Sequence, residues 1–189
     1  SGINAEYGEM EKEVKITLKS KEDYELLLSR LPEPQSVEKQ HNTFYTNDYL
    51  SENKISVRLR EIGGETTLTT KIRVSKQAGY FVAEEQNTVV PSAEEFLKRP
   101  EDFVPEKLKG RVSNLKEQTD FNNTRKIVKF HDFTLEIDWA VFRHTELFEI
   151  ECETEHPEEY KEQVKTLLEG VQWEWSQKTK HKIALENMK

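Results

Sequence analysis

The chain has 189 residues, 34% of them apolar and 34% charged, with a formal net charge of −8. That length fits a single domain, and the acidic balance argues against a nucleic-acid partner gripped by a globally basic surface. A single cysteine, Cys152, excludes an intrachain disulfide and fits a reducing compartment, and no apolar run approaches the roughly 18 residues of a membrane span, so a cytoplasmic protein without a membrane partner is expected.

Residues Ser1–Glu9 lack periodicity and precede a methionine; they are expected to be a remnant ahead of one domain at residues 10–189. "MEKEVKITL" (Met10–Leu18) then alternates, with Val14, Ile16 and Leu18 on one face and Glu11, Glu13, Lys15 and Thr17 on the other, as a strand does. Ser20 with Asp23 forms a capping box opening a helix over Lys21–Leu31, stopped by Pro32 and Pro34. Strands are expected at Glu38–Asn47 and Lys54–Ile62. Gly63-Gly64 signals a hairpin into Glu65–Val74, and Gly79–Val90 follows. Ser92 with Glu95 is a second capping box, and "PEKLKGRV" after Pro100 reads as a short helical piece. Thr124–Asp132 and Phe133–Phe142 look like a strand pair, with Glu146–Glu155 as the last long strand. Pro157 and Gly170 bracket a helix, and the lysine-rich tail from Trp175 reads as helical. About eight strands joined by short connections predict a mainly β, antiparallel (α+β) fold.

Most of these strands pair an apolar face with a charged one. A solvated sheet would do the same, but such a face normally intersperses signs. Here like charges cluster: Glu11 with Glu13, Arg58 with Arg60, Lys71 with Arg73, and Glu149 with Glu151 and Glu153. Clustered carboxylates suit a divalent cation, and clustered guanidinium and ammonium groups suit phosphate. A sheet curled until its charged faces meet would form an eight-stranded barrel, or tunnel, for a metal–polyphosphate complex, with its helices packed outside.

The Glu11-x-Glu13-x-Lys15 pattern near the start of the domain resembles the E-x-E-x-K signature of the CYTH superfamily, also called triphosphate tunnel metalloenzymes. The later charged positions follow in family order: Arg58-x-Arg60, Lys71 and Arg73, Glu85, Arg125, Asp138, Glu149-x-Glu151 and Lys180. The resemblance covers about Met10–Lys182 and is nearest to small bacterial single-domain members. It implies a metal-dependent hydrolase that cleaves the terminal phosphoanhydride of a triphosphate. Inorganic tripolyphosphate is favoured over thiamine triphosphate or a nucleoside triphosphate. Glu11, Glu13, Glu85, Asp138, Glu149 and Glu151 would hold Mg²⁺ or Mn²⁺. Lys15, Arg58, Arg60, Lys71, Arg73, Arg125 and Lys180 would bind phosphates, and Glu11, Glu13, Lys15 and Asp138 would carry catalysis. The sequence departs from the pattern at Thr179-Lys180-His181-Lys182, which lacks the usual serine and arginine, so Lys178, Lys180 and Lys182 compete for one role. Glu85 is preferred to Glu84 on family order and strand phase. An adenylate cyclase acting on ATP through the same tunnel, or a non-catalytic polyphosphate-binding module, are the alternatives. The chain is expected to act as a monomer or homodimer.

Other chemistry finds little support. His41, His131, His144, His156 and His181 lack zinc-ligand spacing. Cys152 falls on the apolar face of its strand, and Gly63-Gly64 leads into a strand, not the helix of a phosphate loop.

Overall fold

The computed structural model describes residues 8–188. Its strands are β1 (Glu9–Leu18), β2 (Ser36–Thr46), β3 (Ile55–Ile62), β4 (Glu65–Gln77), β5 (Tyr80–Val90), β6 (Lys116–Phe130), β7 (Phe133–Val141), β8 (Glu146–Glu153) and β9 (Trp173–Trp175). Its helices are α1 (Lys21–Ser29), α2 (Asp48–Glu52), α3 (Ala93–Lys98), α4 (Pro157–Val164) and α5 (Lys180–Glu186). The strands run in the order β5-β4-β3-β2-β6-β7-β8-β1, and β5 pairs back onto β1, closing an eight-stranded antiparallel barrel. The short β9 adds to β1 beside this closure. Among the described residues, no helix is long and apolar enough to cross a membrane.

The alternation in the sequence sets which way the barrel faces. Val14, Ile16 and Leu18 point outward and pack with Leu135, Ile137, Ile150 and Cys152 under Tyr24 and Leu27 of α1 and Tyr160 and Val164 of α4. On the opposite flank Val57, Leu59 and Leu68 pack under Leu50 of α2 and Phe96 of α3. Each such side chain contributes about 1.5–3 kcal/mol by leaving water. The helices therefore clothe the outside, and the charged faces of the strands turn inward. A third cluster, Phe44, Phe121, Ala140 and Phe142 with Ala184 of α5, packs separately from these two flanks.

Both capping boxes form: Ser20 Oγ accepts from the Asp23 N–H at 3.1 Å and Ser92 Oγ from the Glu95 N–H at 3.0 Å. The Gly63-Gly64 hairpin forms with positive φ at both glycines, 55° and 88°, as the tight turn between β3 and β4 requires.

Several expected boundaries move. β1 begins at Glu9, one residue before Met10, and pairs there with Glu85; Ser1–Tyr7 lie outside the described residues. α1 stops at Ser29, short of Leu31. β6 begins at Lys116, eight residues before Thr124. The residues that its first half buries are Thr119, Phe121 and Asn123, two of them polar, so the strand carries little hydrophobic alternation in the sequence. α4 ends at Val164 instead of continuing to Gly170, because tighter turns carry Leu167, Leu168 and Val171 into the core. The piece expected at "PEKLKGRV" is a single 3₁₀ turn, Glu106–Leu108. The tail is not helical throughout: Trp173–Trp175 form β9, and α5 begins only at Lys180. α2, capped by Asn47, is an element that the sequence pattern does not announce.

Candidate active site

The barrel encloses a cavity of about 1060 Å³. Strand register decides what faces it. On one wall β1, β7 and β8 lie side by side, placing Lys15 opposite Glu151, Glu136 opposite Glu151, and Asp138 opposite Glu149. β6 adds Arg125 opposite Asp138. The other wall is β3 and β4, with Ser56 opposite Lys71 and Arg58 opposite Thr69, and β2 places Phe44 beside Arg58 and Asn42 beside Arg60. Acidic and basic strands thus face each other across one interior.

Glu11, Glu13, Glu85, Glu151, Arg58, Arg60, Lys71, Arg125, Lys15 and Lys180 all line the cavity. Asp138 and Glu149 lie one layer deeper, 0% and 1% exposed. Arg73 lines the cavity but is exposed at its mouth, where β4 shifts register between Arg73 and Ser75. Glu85 faces inward opposite Lys71, while its neighbour Glu84 pairs with Lys107. Of the three competing lysines, Lys178 is exposed and pairs with Glu186, and Lys182 is exposed. Of these Lys180 alone is buried, and it lies among the acids.

The acidic wall is densely paired. Arg125 forks onto Asp138 through two bonds of 2.9 Å and reaches Glu136 at 2.7 Å and Glu151 at 2.8 Å. Lys180 Nζ lies 2.6 Å from Glu149, 2.8 Å from Asp138 and 2.9 Å from Glu151, and Lys15 Nζ lies 3.3 Å from Glu151. Burial alone would raise the Asp138 carboxyl, but Arg125 and Lys180 outweigh it and hold the group down to about 2. Burial would likewise lower Lys15, yet the charges of Glu151, Glu13 and Glu149 push it up to about 12. Glu136 goes the other way. Burial, with Glu151, Asp138 and Glu13 nearby, lifts it to about 7 against the pull of Arg125.

The basic wall is different. Arg58 donates to Thr69 Oγ1 at 3.1 Å and Arg60 to Asn42 Oδ1 at 2.7 Å. Neither has a carboxylate within ion-pair distance among the described residues, and Arg58 Nε is buried without a hydrogen-bond partner. Burial and the neighbouring guanidiniums of Arg60 and Arg125 lower Arg58 well below its ordinary range. Lys71 stands between the walls, 3.9 Å from both Glu11 and Glu13.

Glu136 is a site residue outside the set expected from the sequence, although it shares the inward face of β7 with Asp138 two residues on, a signal that could have found it. Its carboxylate, with those of Glu13 and Glu151, supplies oxygens all within 4.8 Å of one another. Cys152 is buried in the outer core, and burial raises its thiol to about 12, so it is inert at neutral pH.

Comparison with known proteins places this architecture. The chain resembles a solved Hippeastrum protein, described as a candidate adenylyl cyclase with a dominant triphosphatase activity, at 22% identity and a TM-score of 0.84, covering 93% of this chain and 95% of that one. It also resembles a candidate adenylate cyclase from Bacillus halodurans at 22% identity and a TM-score of 0.69, covering 92% and 97%. A conserved hypothetical protein from Pyrococcus furiosus follows at 20% identity and a TM-score of 0.60, covering 85% and 91%. These likenesses establish the shared fold. No curated protein sequence matches the chain. The CYTH domain profile matches residues 9–181, from the first strand of the barrel to the first turn of α5, and the chain belongs to the CYTH domain family.

Proposed function

We propose that this protein is a divalent-metal-dependent triphosphatase, cleaving the terminal phosphoanhydride bond of a small triphosphate, with inorganic tripolyphosphate as the first candidate substrate. One observation carries the reading: two half-buried guanidiniums, Arg58 and Arg60, lack carboxylate partners among the described residues and face a wall of carboxylates across the cavity. Desolvated and uncompensated guanidiniums favour a multiply charged oxyanion, which each can grip through paired N–H groups.

The residues fit a metal ion at one place. Glu13, Glu136 and Glu151 offer an all-oxygen donor set beside the cavity, the kind that Mg²⁺ and Mn²⁺ take. Burial first, and then the charges of Glu151, Asp138 and Glu13, raise the Glu136 carboxyl, and a bound cation would favour its ionised form. Glu11 and Glu85 stand at the margin of this set, and Asp138 and Glu149 support it from below. When bound, the ion would neutralise charge on the phosphoryl oxygens and orient a water for in-line attack.

The chain's own groups do the rest. Arg58 and Arg60 bind phosphoryl oxygens on the basic wall. Lys71 sits where it can pass from Glu11 and Glu13 to a phosphate. Lys15 and Arg125 hold Glu151 fixed, and Arg73 meets the substrate's outer end at the mouth. The test is product analysis with Mg²⁺ or Mn²⁺ on tripolyphosphate, ATP and thiamine triphosphate. Orthophosphate release, fastest from tripolyphosphate, is the expected result. Cyclic AMP with pyrophosphate would make the protein a cyclase, and tight binding without turnover would make it a binding module.

A further inference from the structure

Below the Glu13, Glu136 and Glu151 set lies a second carboxylate trio, Asp138, Glu149 and Glu151, whose oxygens also fall within 4.8 Å of one another. By residue type it is another divalent-cation site, but its centre is taken. Lys180 Nζ lies 2.8 Å from Asp138 Oδ2, 2.6 Å from Glu149 Oε1 and 2.9 Å from Glu151 Oε1. The other three oxygens also accept hydrogen bonds. Asp138 Oδ1 accepts from Arg125 Nε at 2.9 Å, Glu151 Oε2 from Arg125 Nη2 at 2.8 Å, and Glu149 Oε2 from Ser176 Oγ at 2.9 Å. With Lys15 also 3.3 Å from Glu151, three buried acids face three buried cations and the trio is charge-balanced.

Lys180 has no local reason to be there. It is the first residue of α5, after the Thr179 cap that accepts from the Lys182 N–H. At that end the helix dipole disfavours an ammonium. Lys178 and Lys182, two residues either side, are exposed, while Lys180 is 8% exposed. The approach to it is fixed: Ser176 N–H donates to the Lys15 carbonyl at 3.0 Å, and the Ser176 carbonyl accepts from the Gly79 N–H at 2.8 Å. The chain delivers this side chain into the acids against its helical preference, so the acids are what hold it.

We infer that Lys180 is a built-in cation occupying what would otherwise be a second divalent-metal site, so that the barrel holds one metal ion fewer than its carboxylates could take. The inference rests on the metal reading above for the upper trio. It gives Lys180 the role of a positioning residue: it holds Glu151 Oε1 while Arg125 holds Oε2, and so fixes the member common to both trios. It also assigns Asp138 and Glu149 to holding Lys180 and Arg125 rather than to ligating metal.

The experiment counts Mn²⁺ bound per chain, without substrate, by equilibrium dialysis and by the electron paramagnetic resonance signal of free Mn²⁺. Wild type and Lys180→Met are compared. The count should rise by one in the variant, from one to two. An unchanged or lower count overturns the inference. If wild type binds no Mn²⁺ and the variant binds one, Lys180 is the resident cation and the upper-trio reading fails. If each binds one, the upper-trio reading stands and the inference fails. Should Lys180→Met not fold, Glu149→Gln decides: its Mn²⁺ count and affinity should match wild type, and loss of Mn²⁺ binding would show that Glu149 is a ligand.

Discussion

The two walls of the barrel both carry charge into the interior, one fully buried and one half-buried, and treat it in opposite ways. On the β1–β7–β8 wall, carboxylates meet Arg125, Lys180 and Lys15 in a network of short contacts. On the β3–β4 wall, Arg58 and Arg60 make single bonds to neutral side chains and meet no carboxylate among the described residues. Desolvating a charge costs several kcal/mol unless it is paired. The acidic wall therefore meets its cost within the fold, while the basic wall carries a standing deficit that an anionic ligand would relieve. Removing a charge should cost stability on one wall and binding on the other.

The largest expected effect is on the paired wall. Arg125→Ala would strip Asp138, Glu136 and Glu151 of their common partner, leaving Glu136 without an ion-pair partner among the described residues and Lys180 and Lys15 alone against Asp138, Glu149 and Glu151. Chemical denaturation should show a loss of about 3–5 kcal/mol. A loss below about 1 kcal/mol would mean that this network contributes little more than an exposed pair does. On the other wall, Arg58→Ala should leave unfolding free energy unchanged or slightly raised, because it relieves like-charge repulsion from Arg60 and Arg125. Its triphosphate binding, measured by calorimetry, should weaken by about 2–4 kcal/mol. Unchanged binding would remove the basic wall from the site.

A pH effect sharpens the same contrast. His181 stacks on Phe44 at 3.9 Å, and burial together with Arg58 and Arg73 lowers its ring to about 4 from an ordinary 6.5. A depressed folded-state value means that the neutral ring's stability contribution is complete above pH 6.5 and is lost as pH falls towards 4. Wild type should therefore lose on the order of 2 kcal/mol relative to His181→Gln between pH 7 and pH 4. Parallel stability curves for the two proteins would place His181 outside the field of the basic wall. The smallest effect belongs outside the barrel, where Lys107 pairs with Glu84 near the surface. Lys107→Ala should cost no more than about 1 kcal/mol in thermal melts, and a larger loss would mean that pairing stabilises this fold outside the barrel as much as within it.

The alternation of β1, β3, β4, β7 and β8 is legible in the sequence because strand phase is local: a charge at i and i+2 faces one way whatever the tertiary fold. That is why Glu11, Glu13, Arg58, Arg60 and Lys71 group together from residue order alone. Depth is not legible. Asp138 and Arg73 are both inward-phased, yet one is fully buried and the other exposed at the mouth, because depth depends on where along the barrel each strand is registered. Pairing is hidden for the same reason. Lys180 and Glu149 are neighbours only because α5 and β8 meet in space. Glu136 escapes for a different reason: the family resemblance supplies one acid on β7, whereas the strand's own phase offers two. The first half of β6 escapes because two of the three residues it buries, Thr119 and Asn123, are polar, so its alternation is not one of apolar against polar.

The position of β1 has a consequence in time. It pairs with β5 along its first half and with β8 along its second, where Glu13 meets Glu153 and Leu18 meets Phe148. These partners lie far apart in the chain, so their loop-closure entropy must be overcome before any contact rewards it, and folding dominated by such pairings is slow. The strand that closes the ring also bears Glu13 and Lys15, so closure and assembly of the charged interior are one kinetic event. Before it, β8 presents an unpaired edge and the acids of Glu149 and Glu151 remain in water. The rate at which Glu13, Lys15 and the β8 acids come together is thus the rate at which the first strand finds its place between the fifth and the eighth.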